Sequence, residues 1–231
     1  MDSHALKKAV FDAVVRLRDA DLLRHTWGSV SAVNRDAGVI VIEPRRTSHA
    51  GVTPETLVAV DFKTGKPLAG EGEPSTDLPS HLYLYKKWGK VNTIAHPHSC
   101  YAVSWAQACV SIPCLGTTHA EYFYGEVPLV RPLTAAEVSR DYAHNIGRAI
   151  VEHFAEFGLR PLETPAALVP YHGPYAWGAS IADAVEHALV LEEIARMAYH
   201  TIHVNPRLEG LPRELLDRHS RARKRASRET T

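Results

Sequence analysis

Apolar residues in the first twenty positions recur at helical spacing. Val10, Phe11, Val14 and Leu17 fall on one face, which predicts a helix from residue 3 to about 20. The period then shortens. Residues 29–33, 39–42 and 57–61 are short apolar runs bounded by turn residues, the last closing on Lys63-Thr64-Gly65-Lys66, and each predicts a strand. Pro79 suits the first turn of a helix continuing through 81–87, and 91–95 predicts another strand. Thr134-Ala135-Ala136-Glu137 matches a capping box, opening a helix on which Val138, Tyr142, Ile146, Ile150 and Phe154 share a face. A short strand at 168–170 follows. Ser180-Ile181-Ala182-Asp183 then caps a second long helix with Ile181, Val185, Ala188, Leu191, Ala195 and Ala198 inward.

Strands in the middle with helices before and after predict one α/β (α+β) domain over residues 1–212, a mainly antiparallel sheet flanked by helices. No G-x-G-x-x-G follows a strand, which argues against a doubly wound dinucleotide fold. Lys+Arg and Asp+Glu balance at 26 each, so global charge suggests neither nucleic acid nor an anionic membrane as partner. No apolar run approaches the ~18 residues of a membrane span. The first residues lack a signal-peptide core, and Cys100, Cys109 and Cys114 form no disulfide framework, so a cytoplasmic setting is expected. Charge does concentrate in residues 213–231, with Arg213, Arg218, Arg221, Arg223, Lys224, Arg225 and Arg228. This basic tail reads either as a solvated end or as an arm closing over an anionic substrate in a neighbouring subunit.

Candidate chemistry centres on Ile94-Ala95-His96-Pro97-His98-Ser99. Residues i and i+2 of a strand project to one face, so both imidazoles can converge on one point. Neutral imidazole is a common ligand for zinc and similar ions, although one H-x-H pair is equally compatible with a structural role. His172, followed by Gly173 and flanked by Pro170 and Pro174, sits where a fixed turn could aim a third ligand. Asp77 is a carboxylate candidate that also suits the N-cap of the helix at Pro79. A cupin would place a glutamate shortly after H-x-H; Cys100-Tyr101-Ala102-Val103-Ser104-Trp105 holds none.

Five segments occur in order: Thr26-Trp27-Gly28-Ser29-Val30-Ser31, Pro74-Ser75-Thr76-Asp77, His96-Pro97-His98-Ser99, the run from Gly116 to Gly125 (GTTHAEYFYG), and His172-Gly173-Pro174-Tyr175-Ala176-Trp177-Gly178. Together they resemble the class II aldolase/adducin family, specifically its L-ribulose-5-phosphate 4-epimerase branch, over about residues 5–220. The resemblance implies a three-layer α/β/α aldolase-like domain. It also implies a homo-oligomer, a C4 tetramer with active sites between subunits. One divalent ion per subunit (Zn²⁺ or Mn²⁺, with Fe²⁺ or Co²⁺ as alternatives) would sit on His96, His98 and His172, with Asp77 close by. Ser75 and Thr76 would contact the phosphate of a small anionic substrate.

Several positions depart from the branch. Its Lys-Pro-Ser-Gly loop is Glu43-Pro44-Arg45-Arg46 here, Ser29 stands for an asparagine, and Glu121 replaces an aspartate. A C-terminal tyrosine is missing, the last being Tyr199, and Ala143 falls where a glutamate is expected. Loss of one proton-transfer group typically costs ~10²–10⁴-fold in rate. These departures favour a metal-dependent lyase that decarboxylates a hydroxylated carboxylic acid, aromatic ones included, through a metal-stabilised enolate. Arg45 and Arg46 would grip the carboxylate by bidentate geometry and Glu121 would transfer the proton. The alternative is the 4-epimerase or a sugar-phosphate aldolase. A non-catalytic adducin-like module is disfavoured because all three histidines are present.

Overall fold

Alternation along the central strands divides their side chains between two apolar layers, one on each face of a single six-stranded sheet. The computed structural model describes residues 3–68 and 70–229, residues 222–229 by backbone alone. In chain order the elements are α1 (Ser3–Asp19), β1 (Ser29–Asn34), β2 (Val39–Ile42), β3 (Val58–Asp61), α2 (Leu78–Lys87), β4 (Thr93–His96) and α3 (Cys100–Gln107). There follow α4 (Thr117–Tyr122), α5 (Ala135–Ser139), α6 (Tyr142–Glu156), β5 (Ala166–Val169), β6 (Gly173–Gly178), α7 (Ile181–Val204) and α8 (Arg213–Glu229). The sheet order is β3-β2-β1-β4-β6-β5, with every neighbouring pair antiparallel.

On one face Val30, Ala32, Val41, Ala59, Ala95 and Ala176 meet Val10, Val14 and Leu17 of α1 and Ala188, Leu191 and Ala195 of α7. On the other, Ile40, Ile42, Val60, Ile94 and Trp177 meet Leu84 of α2 and Ile146, Ile150 and Phe154 of α6. Trp177 lies 4.9 Å from Trp88 and 5.4 Å from Phe154 between ring centres, and its indole N–H donates to Pro161 O at 2.7 Å. Truncating so large a fully buried ring to alanine typically costs about 3–5 kcal/mol. Helices α2 and α6 approach so closely that a Cβ on Gly147 would sit 2.8 Å from Ser80 O. The helix–sheet–helix layering and antiparallel sheet match the expectation.

Four local differences have identifiable causes. The helix expected to run unbroken after Thr134 divides at Asp141, whose φ of 56° ends α5 and restarts the chain as α6. Asn145 holds that joint by donating its side-chain amide to Glu137 O at 3.1 Å and Arg140 O at 2.7 Å. The turn therefore leaves Val138 and Tyr142 exposed while Ile146, Ile150 and Phe154 stay buried. Helix α3 gave no local signal, because Glu192 of α7 caps its free amides at Tyr101 and Ala102 (2.8 and 2.9 Å). The His172–Gly178 motif supplies a whole strand, β6, despite its proline and glycines, since pairing with β4 and β5 outweighs local propensity.

The fourth difference is at the basic end. Residues 213–229 form α8, which packs on α4, and Tyr124 donates its hydroxyl to Asp217 Oδ1 at 2.7 Å. The side chains of Arg223, Lys224, Arg225 and Arg228, and residues 230–231, lie outside the described residues. Among the described residues no helix is long and apolar enough to cross a membrane.

Candidate metal centre and anion cleft

Strand β1 sets the site by holding β4 in register, with Ser29 opposite His96. The turn before β1 can approach only because residue 28 is glycine: its φ is +83°, and any Cβ there would collide with the His96 carbonyl. His96 is the last residue of β4, and His98 follows in the link to α3. Its neighbour β6 begins at Gly173, directly after His172, so two adjacent strand ends deliver all three imidazoles.

Both His98 Nε2 and His172 Nε2 lie 3.2 Å from His96 Nε2, and the three ligand atoms fall within 4.8 Å of one another. His96 Nδ1 donates to Pro174 O at 2.7 Å, which leaves Nε2 with its lone pair toward the cluster. Tyr175 stacks on His96 at 4.1 Å and fixes the ring plane. The hydroxyl of Tyr142 lies 3.4 Å from His172 Nδ1, as the acceptor a neutral Nε2 ligand requires. Burial pushes all three histidines down, His172 to about 4, with the neighbouring imidazoles adding to the effect on His96 and His172. Neutral rings with converging nitrogens suit a divalent cation. For bonds of ~2.05 Å a tetrahedral site has ligand separations of ~3.3 Å, close to the two short distances. These residues fit a metal, which would leave an open position for substrate oxygens.

Asp77 lies beside the cluster. It precedes α2, but its carboxylate does not take the capping role expected of it. Oδ2 instead accepts from Ser29 Oγ at 2.8 Å and from Ser75 Oγ at 3.4 Å. Desolvation alone would raise the Asp77 pKa, but His96, His81 and the Ser29 hydrogen bond outweigh it and hold the carboxyl low. An ionised carboxylate beside neutral imidazoles adds to the attraction for a cation.

A cleft of about 290 Å³ opens beside Asp77 and His98, lined also by Arg45, Arg46, Ser75 and Thr76. Two backbone hydrogen bonds bring these loops together: Arg45 N to Glu73 O at 2.9 Å and Ser75 N to Glu43 O at 2.8 Å. Arg45 is half-open to solvent and meets Glu73 at 3.4 Å, leaving its fork largely free for an anion. Glu43, which stands for the lysine of the resembled loop, is buried. Its Oε2 accepts from Val30 N and its Oε1 from His49 Nδ1, both at 2.6 Å. Sequence reasoning missed His49 and Tyr142 as parts of the site; neither carries a motif of its own.

Glu121 is not brought to this cluster within one chain. It lies exposed on α4, which packs against α7 and α8 rather than the histidine-bearing strand ends.

Residues 8–199 match the class II aldolase and adducin N-terminal domain. The chain is 42% identical over 214 residues to the L-ribulose-5-phosphate 4-epimerase UlaF of Salmonella paratyphi B, covering 93% of this chain and 92% of that protein. Among solved structures, an L-fuculose 1-phosphate aldolase superposes with a TM-score of 0.81 at 21% identity, covering 97% of this chain and 98% of the other. The L-fuculose-1-phosphate aldolase of Thermus thermophilus gives 0.68 at 23% identity, with 88% and 98% covered. The structural likenesses carry the fold, the first two findings the lineage: this chain belongs to the class II aldolase and adducin N-terminal domain family.

Proposed function

We propose that this chain is a divalent-metal-dependent L-ribulose-5-phosphate 4-epimerase that works by breaking and remaking a carbon–carbon bond. The observation that carries this reading is its 42% identity, across 93% of the chain, to a protein of that name. The three-histidine cluster and its adjoining anion cleft are consistent with it. His96, His98 and His172 would hold the ion, which supplies Lewis-acid polarisation of a substrate carbonyl and neighbouring hydroxyl.

The protein's own groups do the rest. Asp77, ionised and fixed by Ser29, adds negative charge that favours the ion. Arg45, Arg46, Ser75 and Thr76 bind the phosphate and so anchor one end of the substrate. The bond between the carbons α and β to the carbonyl breaks as the β-hydroxyl gives up its proton to a base, leaving an aldehyde fragment that must be held while its other face is presented for re-addition. Glu121 is exposed on α4 and lies outside the histidine group of its own chain, so a proton-transfer role for it requires a neighbouring subunit. That requirement fits a cytoplasmic C4 homotetramer with sites between subunits.

Decarboxylation of a hydroxy acid loses its main support. The Arg45 and Arg46 substitutions that suggested it suit a phosphate as well as a carboxylate, and the 42% identity is to a 4-epimerase. The deciding experiment is incubation of metal-loaded protein with L-ribulose 5-phosphate. Formation of D-xylulose 5-phosphate, abolished by His96→Ala, is expected; no conversion would remove the epimerase reading.

A further inference from the structure

The Glu43–His49 pair beside the cleft is unexplained by the metal centre. Both side chains are nearly inaccessible, at 4% and 3% exposure, yet both residues line the cavity that holds Arg45, Arg46, Ser75 and Thr76. His49 faces an acceptor at each ring nitrogen: Glu43 Oε1 at 2.6 Å from Nδ1 and the Trp27 carbonyl at 3.0 Å from Nε2. A carbonyl can only accept, so Nε2 carries a hydrogen. The carboxylate takes a second hydrogen from Nδ1, which makes the ring an imidazolium. Burial pulls the His49 pKa down, but the Glu43 hydrogen bond and charge and the Trp27 carbonyl together raise it overall. A buried carboxylate beside an anion site repels the anion unless a cation offsets it.

We infer that His49 is the counter-cation that keeps this cleft receptive to an anion despite Glu43, and that through the Trp27 carbonyl it also positions Gly28 against His96. The inference rests on the anion-binding reading of the cleft given above. It assigns His49 as a positioning and specificity-determining residue rather than a catalytic one, since both of its N–H groups are already engaged. It also accounts for a glutamate where a cation is expected at the mouth of the loop. The positive charge has moved to another residue, and the pair together is neutral.

The test titrates inorganic phosphate into full-length, metal-loaded protein by calorimetry. His49→Gln leaves the Glu43 charge bare, and phosphate affinity should fall by at least about tenfold. Adding Glu43→Gln to that variant removes the bare charge and should restore affinity to within about threefold of the parent. Glu43→Gln alone should bind phosphate at least as tightly as the parent, and it carries the test if His49→Gln does not fold. Parent-like binding by His49→Gln, no recovery in the double variant, or a tenfold loss in Glu43→Gln would each overturn the inference. A purely structural pair predicts that the double variant is the worst of the three. Phosphate binding needs no turnover, so failure with L-ribulose 5-phosphate leaves this result standing.

Discussion

Ser29 stands opposite His96 across β1 and β4, and its hydroxyl donates to Asp77 Oδ2 at 2.8 Å. One residue thereby holds the carboxylate beside the histidine cluster. A hydrogen bond to a charged group contributes about 1.5–3 kcal/mol, and Ser75 at 3.4 Å is a poor replacement. Ser29→Ala should fold, with a lower thermal midpoint and about tenfold weaker divalent-metal affinity. Competition against a chromophoric chelator measures the second effect. Parent-like affinity would mean that Asp77 needs no orienting donor.

Gly28 is the more severe case. Its left-handed φ of +83° already disfavours a side chain, and the His96 backbone occupies the space a Cβ needs. Gly28→Ala must push the Thr26–Gly28 turn away from β4, disturbing the backbone of a proposed ligand rather than a flexible side chain. We expect a loss of at least about 2 kcal/mol in chemical denaturation, together with loss of metal binding. Retention of both would show that the turn has somewhere else to go.

Tyr142 reaches the cluster only because α6 restarts at Asp141. Its hydroxyl lies 3.4 Å from His172 Nδ1, a long contact, so its effect should be moderate. Tyr142→Phe removes one oxygen and leaves the ring packing. Metal affinity should fall by about threefold to tenfold, with little change in thermal midpoint for the metal-free protein. A change confined to stability would assign Tyr142 to packing alone.

How much of this was legible in the sequence depended on whether the cause was local. Capping boxes at Thr134 and Ser180 marked two helix starts because each needs only four residues, and both form as written. Short apolar runs between turn residues likewise marked the first strands. Helix α3 was invisible because its cap, Glu192, comes from α7, far along the chain. His96-Pro97-His98 and His172 stood out as motifs, and the structure brings them together. The place of Glu43 was not legible because burial and the partner that neutralises it are tertiary facts. By itself it was a glutamate standing for a lysine; in place, it is half of a closed pair.

The buried histidines also set the direction of pH sensitivity in the metal-free protein. Burial pushes His81, His119 and His172 each down to about 4, with His98 adding to the effect on His172. In the unfolded chain the same groups titrate near ~6.5, so as pH falls below that value the unfolded state takes up protons first. Their contribution to stability is therefore complete above about pH 6.5 and is lost between there and about 4. His49 has the opposite sign: its raised pKa stabilises the fold at low pH, and that part fades as pH rises through the raised value. One raised histidine against several depressed ones leaves the acid side the weaker. Urea midpoints of metal-free protein should decline steadily from about pH 7 to about 4.5, and His119→Asn should flatten the slope. A midpoint independent of pH across that interval would contradict the neutral, buried state of these rings.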